Sequence, residues 1–141
     1  MSLGSRSPSK ILRAAGFRWD GVPERPYKEA EEGGSTHRGV VRQTLLGEGE
    51  GEEPLAFLTR YFEIEPGGWS TLERHGHPHA VLVLRGRGHV ALDGEVSEIG
   101  PHDCVYVAPE TPHQFRADFG EPLGFLCIVD RVRDRPRPVE P

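Results

Sequence analysis

The sequence predicts an all-β fold, a small barrel or jelly roll preceded by an irregular N-terminal arm. Short apolar runs recur at regular spacing after residue 39, and almost no segment has the periodicity of a helix. The 141 residues include 18 glycines and 13 prolines, a content that favours short strands joined by tight turns. A chain of this length can bury one core, so we expect a single folded domain.

The first element is the arm, residues 1–37, which is interrupted by proline, glycine and serine and carries an acidic run at 29–32. A short helix is expected over Lys10–Ala15. We expect the aromatic side chains of Phe17, Trp19 and Tyr27 to hold the arm against the barrel wall or against a partner subunit.

The second element is the barrel, residues 38–130, for which about nine short strands are predicted. Asp93-Gly94 between apolar runs predicts a hairpin, and Pro66–Gly68 predicts a turn. Such a series closes best as a small barrel or jelly roll. The predicted strands are Val40–Leu46, Leu55–Ile64, Ser70–His75, Ala80–Leu84, His89–Leu92, Glu95–Ile99, Cys104–Val107, His113–Ala117 and Leu123–Val129.

The last element, residues 131–141, is a Pro/Arg-rich tail that we expect to be solvated. The net charge of −5 and the absence of a dense basic stripe argue against a nucleic-acid partner. No apolar run approaches the roughly 20 residues that span a bilayer, and no signal peptide is evident. We therefore expect no membrane partner and a cytoplasmic location, with Cys104 and Cys127 as buried, reduced thiols.

Three histidines stand within five residues, His75, His77 and His79, and His113 follows further along the chain. Neutral imidazole is the commonest metal ligand in proteins. On extended backbone, residues two apart share a face, so Glu73 can point the same way as these histidines. The cluster predicts a metal site; the alternative is a solvent-facing polar hairpin.

The stretch from Gly67 to Gly86 resembles the first motif of the cupin superfamily, G-x5-H-x-H-x3/4-E-x6-G. In that frame His79 occupies the glutamate position, His75 the second histidine position and Glu73 the first. Compared with the motif, a glutamate therefore stands at the first histidine position and a histidine stands at the glutamate position. Both side chains are metal ligands, so the exchange is expected to preserve binding.

The second cupin motif, G-x5-P-x-G-x2-H-x3-N, is matched more loosely. His113 takes its histidine position, whereas the expected Gly, Pro, Gly and Asn are replaced by His102, Ala108, Glu110 and Ala117. The resemblance covers roughly residues 39–130.

The resemblance implies a cupin double-stranded β-helix holding one divalent transition metal, Fe, Mn, Ni, Cu or Zn. The ligands that it implies are Glu73, His75, His79 and His113. If Gly76–Pro78 is a bend between two strands, His77 tips over the rim and lies behind the ligands or on the surface. Two alternatives stay open: His77 is the fourth ligand in place of Glu73, or Glu73 is a surface carboxylate and the site has three histidines.

Several further residues are expected to line a substrate pocket. Arg60 shares a strand face with Phe62 and Ile64, so its guanidinium either lies inside the barrel or reaches the rim. Inside, it would need an anionic partner, either Glu73 or a substrate carboxylate. Residues expected to line the same pocket are Phe115, Phe125 and Cys127.

The resemblance implies a small-molecule substrate or ligand, and its commonest enzymatic use is a dioxygenase or another oxidoreductase. The alternatives are an isomerase or lyase acting on an enolisable acid or sugar, and a non-enzymatic binding or sensor module. A pocket with a further carboxylate and a lysine would favour the isomerase, and the chain has only Lys10 and Lys28. We also expect a homodimer in which the arm or Val40–Leu46 crosses to the partner.

Overall fold

In the computed structural model, residues 8–28, 36–49 and 51–140 are described, and within them the chain forms strands and no helix. The strands are β1 (Ala14–Ala15), β2 (Arg18–Trp19), β3 (Arg25–Pro26), β4 (Arg38–Leu46), β5 (Phe57–Trp69), β6 (Glu73–Arg74), β7 (His79–Arg85), β8 (Gly88–Leu92), β9 (Glu95–Ile99), β10 (Cys104–Val107), β11 (His113–Ala117), β12 (Leu123–Asp130) and β13 (Arg137–Pro138).

Eleven of these strands form one antiparallel sheet that curls into the barrel, which confirms the predicted fold class. Its main path runs β10-β7-β12-β5-β11-β6-β13. Strand β4 joins β5 and carries the short β3, while β8 joins β11 to β9. Within the described ranges there is no helix long and apolar enough to cross a membrane.

The core follows the two-residue alternation of the strands. On β7, Val81 and Val83 are buried and the leucines between and after them are only half-buried. The prediction that Cys104 is buried is wrong, because it lies on the outer face, whereas Cys127 is buried as predicted. Ile128 also lies on the outer face, with 40% of its surface exposed. The buried apolar cluster contains Val40, Leu58, Phe62, Ile64, Val81, Val83, Val90, Ile99, Val105, Val107, Phe115, Ala117, Leu123, Phe125, Cys127 and Val129.

The turn predicted at Pro66–Gly68 is wrong, since β5 continues through it to Trp69. The segment forms a bulge, where β4 pairs Val40 with Ile64 and then Arg38 with Trp69. A Cβ on Gly68 would lie 2.4 Å from the Arg38 carbonyl oxygen, so the bulge needs glycine for the close approach of two backbones. The glycines of the Pro66–Gly68 segment therefore mark a bend within strand β5 and not a turn between two strands.

The arm lies on the barrel wall through its aromatic residues, as predicted. The ring centroid of Trp19 lies 5.0 Å from that of Tyr61, and Arg18 forms an ion pair with Glu63. The helix expected over Lys10–Ala15 is wrong, because β1 and β2 form a tight hairpin there.

The C-terminal segment, residues 131–139, is not the free solvated tail that the sequence suggests. Its side chains are mostly exposed, but β13 pairs with β6 and the Val139 amide donates to the Leu72 carbonyl. The Arg137 guanidinium also donates to the Glu110 carboxylate. The segment therefore lies along the rim of the barrel, beside the histidine cluster.

Candidate metal centre and cavity

Three of the four histidines predicted as candidates come together at one end of the barrel. The side chains of His75, His79 and His113 each offer one nitrogen, and these nitrogens all lie within 4.8 Å of one another. His75 lies in the segment before β7, while His79 and His113 begin β7 and β11. Antiparallel pairing of β11 with the short β6 brings the distant His113 to this cluster.

Hydrogen bonds leave a nitrogen lone pair on two of the rings. His75 Nδ1 lies 2.6 Å from the His77 carbonyl oxygen, and His113 Nδ1 lies 2.9 Å from that of Thr111. Each Nδ1 must therefore donate a proton, and Nε2 is left as an acceptor. His75 Nε2 is buried and has no hydrogen-bond partner among the described residues. A buried lone pair facing two further imidazoles fits a metal ion.

Burial keeps the three imidazoles neutral. Desolvation, with the neighbouring His77 and His113, lowers the pKa of His75 to about 4. Desolvation likewise lowers the pKa of His79 and that of His113. Because a metal binds only the deprotonated ring, these directions favour metal ligation at neutral pH.

Glu73, the fourth expected ligand, is buried in the same cavity but does not belong to the three-histidine group. It lies opposite His113 in the β6–β11 register. Its carboxylate accepts a hydrogen bond of 2.7 Å from Lys28 Nζ and one of 3.3 Å from Tyr27 Oη. A carboxylate has about four lone-pair sites, so these two contacts leave acceptor capacity.

His77 lies at the rim but is buried, with only 6% of its surface exposed. Its ring stacks on His75 with 3.7 Å between centroids, and its Nδ1 lies 2.8 Å from an oxygen of Asp134. Sequence reasoning missed Asp134, because a single aspartate in an arginine-rich tail gives no indication that it folds back 57 residues along the chain.

His79 and His113, together with His77, line a cavity of about 280 Å³. Four residues expected to line a pocket are among its walls, namely Arg60, Phe115, Phe125 and Cys127. Of the two partners considered for Arg60, Glu73 is paired with Lys28 instead. Arg60 Nη2 lies 3.5 Å from Cys127 Sγ.

Three cationic residues of the cavity wall were missed as pocket residues: Lys28, Arg42 and Arg133. Arg42 shares a strand face with the buried Val40, so alternation along β4 is a signal that could have found it. Lys28 and Arg133 come from the arm and the tail, whose paths follow from tertiary packing.

Comparison with known proteins identifies the protein family to which this chain belongs. The cupin domain family model matches residues 60–129. A curated relative from Rhodospirillum rubrum, named 1-methylthio-D-xylulose 5-phosphate methylsulfurylase, is 48% identical over 86% of this chain and 74% of its own length. This chain belongs to the cupin superfamily, as its motifs predicted.

Solved structures agree with this assignment. A cupin 2 conserved barrel domain protein from Rhodopseudomonas palustris has a TM-score of 0.81 and 43% identity, covering 94% of this chain and 87% of that one. A salicylate 1,2-dioxygenase from Pseudaminobacter salicylatoxidans has a TM-score of 0.59 and 15% identity, covering 65% and 26%. At 15% identity, the similarity to the salicylate 1,2-dioxygenase shows a shared fold alone.

Proposed function

We propose that this protein is a metal-dependent enzyme acting on a small phosphorylated ketose. The observation that carries the proposal is the convergence of His75, His79 and His113 in a cavity that also holds cationic side chains. Neutral imidazoles with buried lone pairs suit a metal ion, and the cations suit an anionic substrate.

The three histidines, with Glu73 as the fourth ligand, would hold one divalent transition metal, Fe, Mn, Ni, Cu or Zn. When bound, such a metal supplies Lewis acidity toward a carbonyl or hydroxyl oxygen. The protein supports this role by fixing the tautomers of His75 and His113 through backbone carbonyls and by burying these two histidines and Glu73.

The pair formed by Lys28 and Glu73 favours chemistry of the isomerase or lyase kind. Both residues line the cavity, and only 22% of the Lys28 side chain and 7% of the Glu73 side chain are exposed. The Lys28 ammonium can donate a proton to a substrate oxygen, and its 2.7 Å contact with Glu73 holds it at the cavity wall.

The proposed substrate class comes from the name of the Rhodospirillum rubrum relative, which specifies a phosphorylated ketose with a methylthio group. At 48% identity over most of the chain, a shared substrate class is the simplest proposal. The dioxygenase interpretation stays a prediction with only distant fold similarity in its support. A binding or sensor module is the outcome if no turnover is found.

The test is turnover of 1-methylthio-D-xylulose 5-phosphate by the full chain loaded with each candidate metal, followed by ³¹P and ¹H NMR. We expect consumption that requires metal and falls at least about 100-fold in Lys28→Met. Lys10→Met is the matched control, because Lys10 forms an ion pair with Glu52 and neither residue lines the cavity. Lack of turnover with every metal, or full turnover by the metal-free protein, would reject the proposal.

The homodimer and the cytoplasmic location stay predictions. The edge strands of the sheet and the two-fold symmetry common among oligomers support the first. Light scattering should return about twice the chain mass of 15.6 kDa, and the monomer mass at micromolar concentration would reject it.

A further inference from the structure

The wall of the cavity carries more positive than negative charge. Lys28, Arg42, Arg60 and Arg133 all line it. Glu73 is the only carboxylate among the described lining residues, and Lys28 already pairs with it at 2.7 Å. The guanidiniums of Arg60 and Arg133 are therefore left without a carboxylate partner among the described residues of the wall.

Arg60 is the most deeply buried of these cations. Only 8% of its surface is exposed, and it stacks over Phe62 with its Cζ 4.9 Å from the ring centroid. Its contact with Cys127 Sγ, at 3.5 Å, is to a weak acceptor. Its Nε is buried and has no hydrogen-bond partner in the described part of the chain. An uncompensated buried charge is costly, so a site built this way needs an anion.

Arg133 brings a second guanidinium to the cavity from the C-terminal segment. Its Nη1 donates to the backbone carbonyls of Asp130 and Arg131, at 3.3 and 3.2 Å, and it forms no ion pair with a described residue. Burial and the positive charge of Arg60 lower the pKa of Arg133. Both guanidiniums line the same cavity, Arg60 buried in its wall and Arg133 at its exposed side.

The position of Arg133 is fixed by its neighbour. Asp134 accepts hydrogen bonds from the backbone amides of Gly76 and His77, at 2.6 and 3.0 Å. These bonds hold the segment at the rim beside the histidines, so Arg133 reaches the cavity from an anchored backbone. The arrangement is thus prepared before a ligand arrives.

We propose that Arg60 and Arg133 form the subsite for the phosphate group of the substrate, with Arg42 on the same cavity wall. This inference rests on the function proposed above and names the residues that select a phosphorylated substrate. A phosphate monoester carries nearly two negative charges and accepts several hydrogen bonds, which matches two fork-shaped guanidiniums better than a single carboxylate does.

The test uses inorganic phosphate as the probe, measured by calorimetry at constant ionic strength on the metal-free full chain, so that a metal cannot contribute. We expect saturable one-site binding by the wild type and a loss of at least about tenfold in affinity in Arg133→Ala. Arg135→Ala is the matched control, because it removes the same charge from the same exposed segment without touching the cavity. Acetate at equal concentration should bind at least about tenfold more weakly.

Arg60→Met tests the buried partner and should lose phosphate affinity in the same way. If Arg60→Met fails to fold, the comparison of phosphate affinity between Arg133→Ala and Arg135→Ala still tests the subsite. No phosphate binding by the wild type, or equal affinity in Arg133→Ala and Arg135→Ala, overturns the subsite. Phosphate binding that depends on Arg133 without ketose turnover rejects the proposed function and keeps the subsite. Turnover of the ketose with an unchanged KM in Arg133→Ala supports the proposed function and rejects the phosphate subsite.

Discussion

The carboxylate of Asp134 holds His77 by two hydrogen bonds, one to its backbone amide at 3.0 Å and one to Nδ1 at 2.8 Å. The His77 ring in turn stacks on His75, whose Nδ1 donates to the His77 carbonyl. The C-terminal segment thereby orients the loop that carries a proposed metal ligand. Hydrogen bonds from Gly76 and His77 lower the pKa of Asp134, so it stays ionised at neutral pH.

Asp134→Ala should lower the metal affinity of the protein about tenfold, because groups that orient ligands typically matter at this level. The affinity is measured by competition with a chromophoric chelator. Glu140→Ala, in the same segment but without a contact to the histidine loop among the described residues, is the control and should bind metal as the wild type does. Equal affinity in both variants would show that the Asp134 contact does not orient His75.

The choice of fourth ligand is tested by comparing Glu73→Gln with His77→Gln. We expect Glu73→Gln to lose about tenfold or more in metal affinity, since it removes a charged donor, and His77→Gln to lose less. The same chelator competition measures both. A larger loss in His77→Gln would contradict the assignment of Glu73 and place His77 in the metal shell.

The metal-free protein should become less stable as the pH falls from about 6.5 to about 4. The pKa of folded His75, about 4, lies below its ordinary value of 6.5, so the unfolded chain binds more protons between these pH values. The free energy of unfolding therefore rises with pH across this window, by at most about 3 kcal/mol for His75.

Urea denaturation at several pH values measures this dependence. His75→Gln should reduce the slope, the rest of which comes from His79 and His113, whereas His102→Asn, at an exposed turn, should leave it unchanged. An unchanged slope in His75→Gln would contradict the burial of a neutral imidazole.

The arm should contribute to the stability of the barrel. Trp19 packs against Tyr61 with 5.0 Å between ring centroids, and it is only half-buried, so Trp19→Ala should cost about 2 kcal/mol in the free energy of unfolding. Ile11→Ala, on the same arm but 71% exposed, should cost little. Equal urea midpoints for both variants would mean that the arm does not stabilise the fold.

The parts of the site that lie on regular strands were accessible to sequence reasoning. Two-residue alternation put Arg60 on the strand face of Phe62 but left open whether its guanidinium lies inside the barrel or at the rim, and the structure buries it. The cupin frame selected His75, His79 and His113 from seven histidines, together with Glu73. These inferences need only the alternation of side chains along a strand and a sequence motif, and both depend on residues that are close together in the sequence.

The remaining parts depend on contacts between distant segments. Lys28 and Arg133 reach the cavity from irregular ends of the chain, where no periodicity tells which way a side chain points. Pro66–Gly68 was misjudged because glycine serves a bulge as well as a turn, and only the neighbouring strand decides between them.

The metal centre is tested by the metal content of the full chain, purified without an affinity-resin metal and measured by elemental analysis beside His113→Ala. We expect about one divalent transition metal per wild-type chain and almost none in the variant. The variant should keep the circular dichroism and melting temperature of the metal-free wild type. A wild-type protein that binds no transition metal, or a His113→Ala variant that keeps it, would contradict the metal centre.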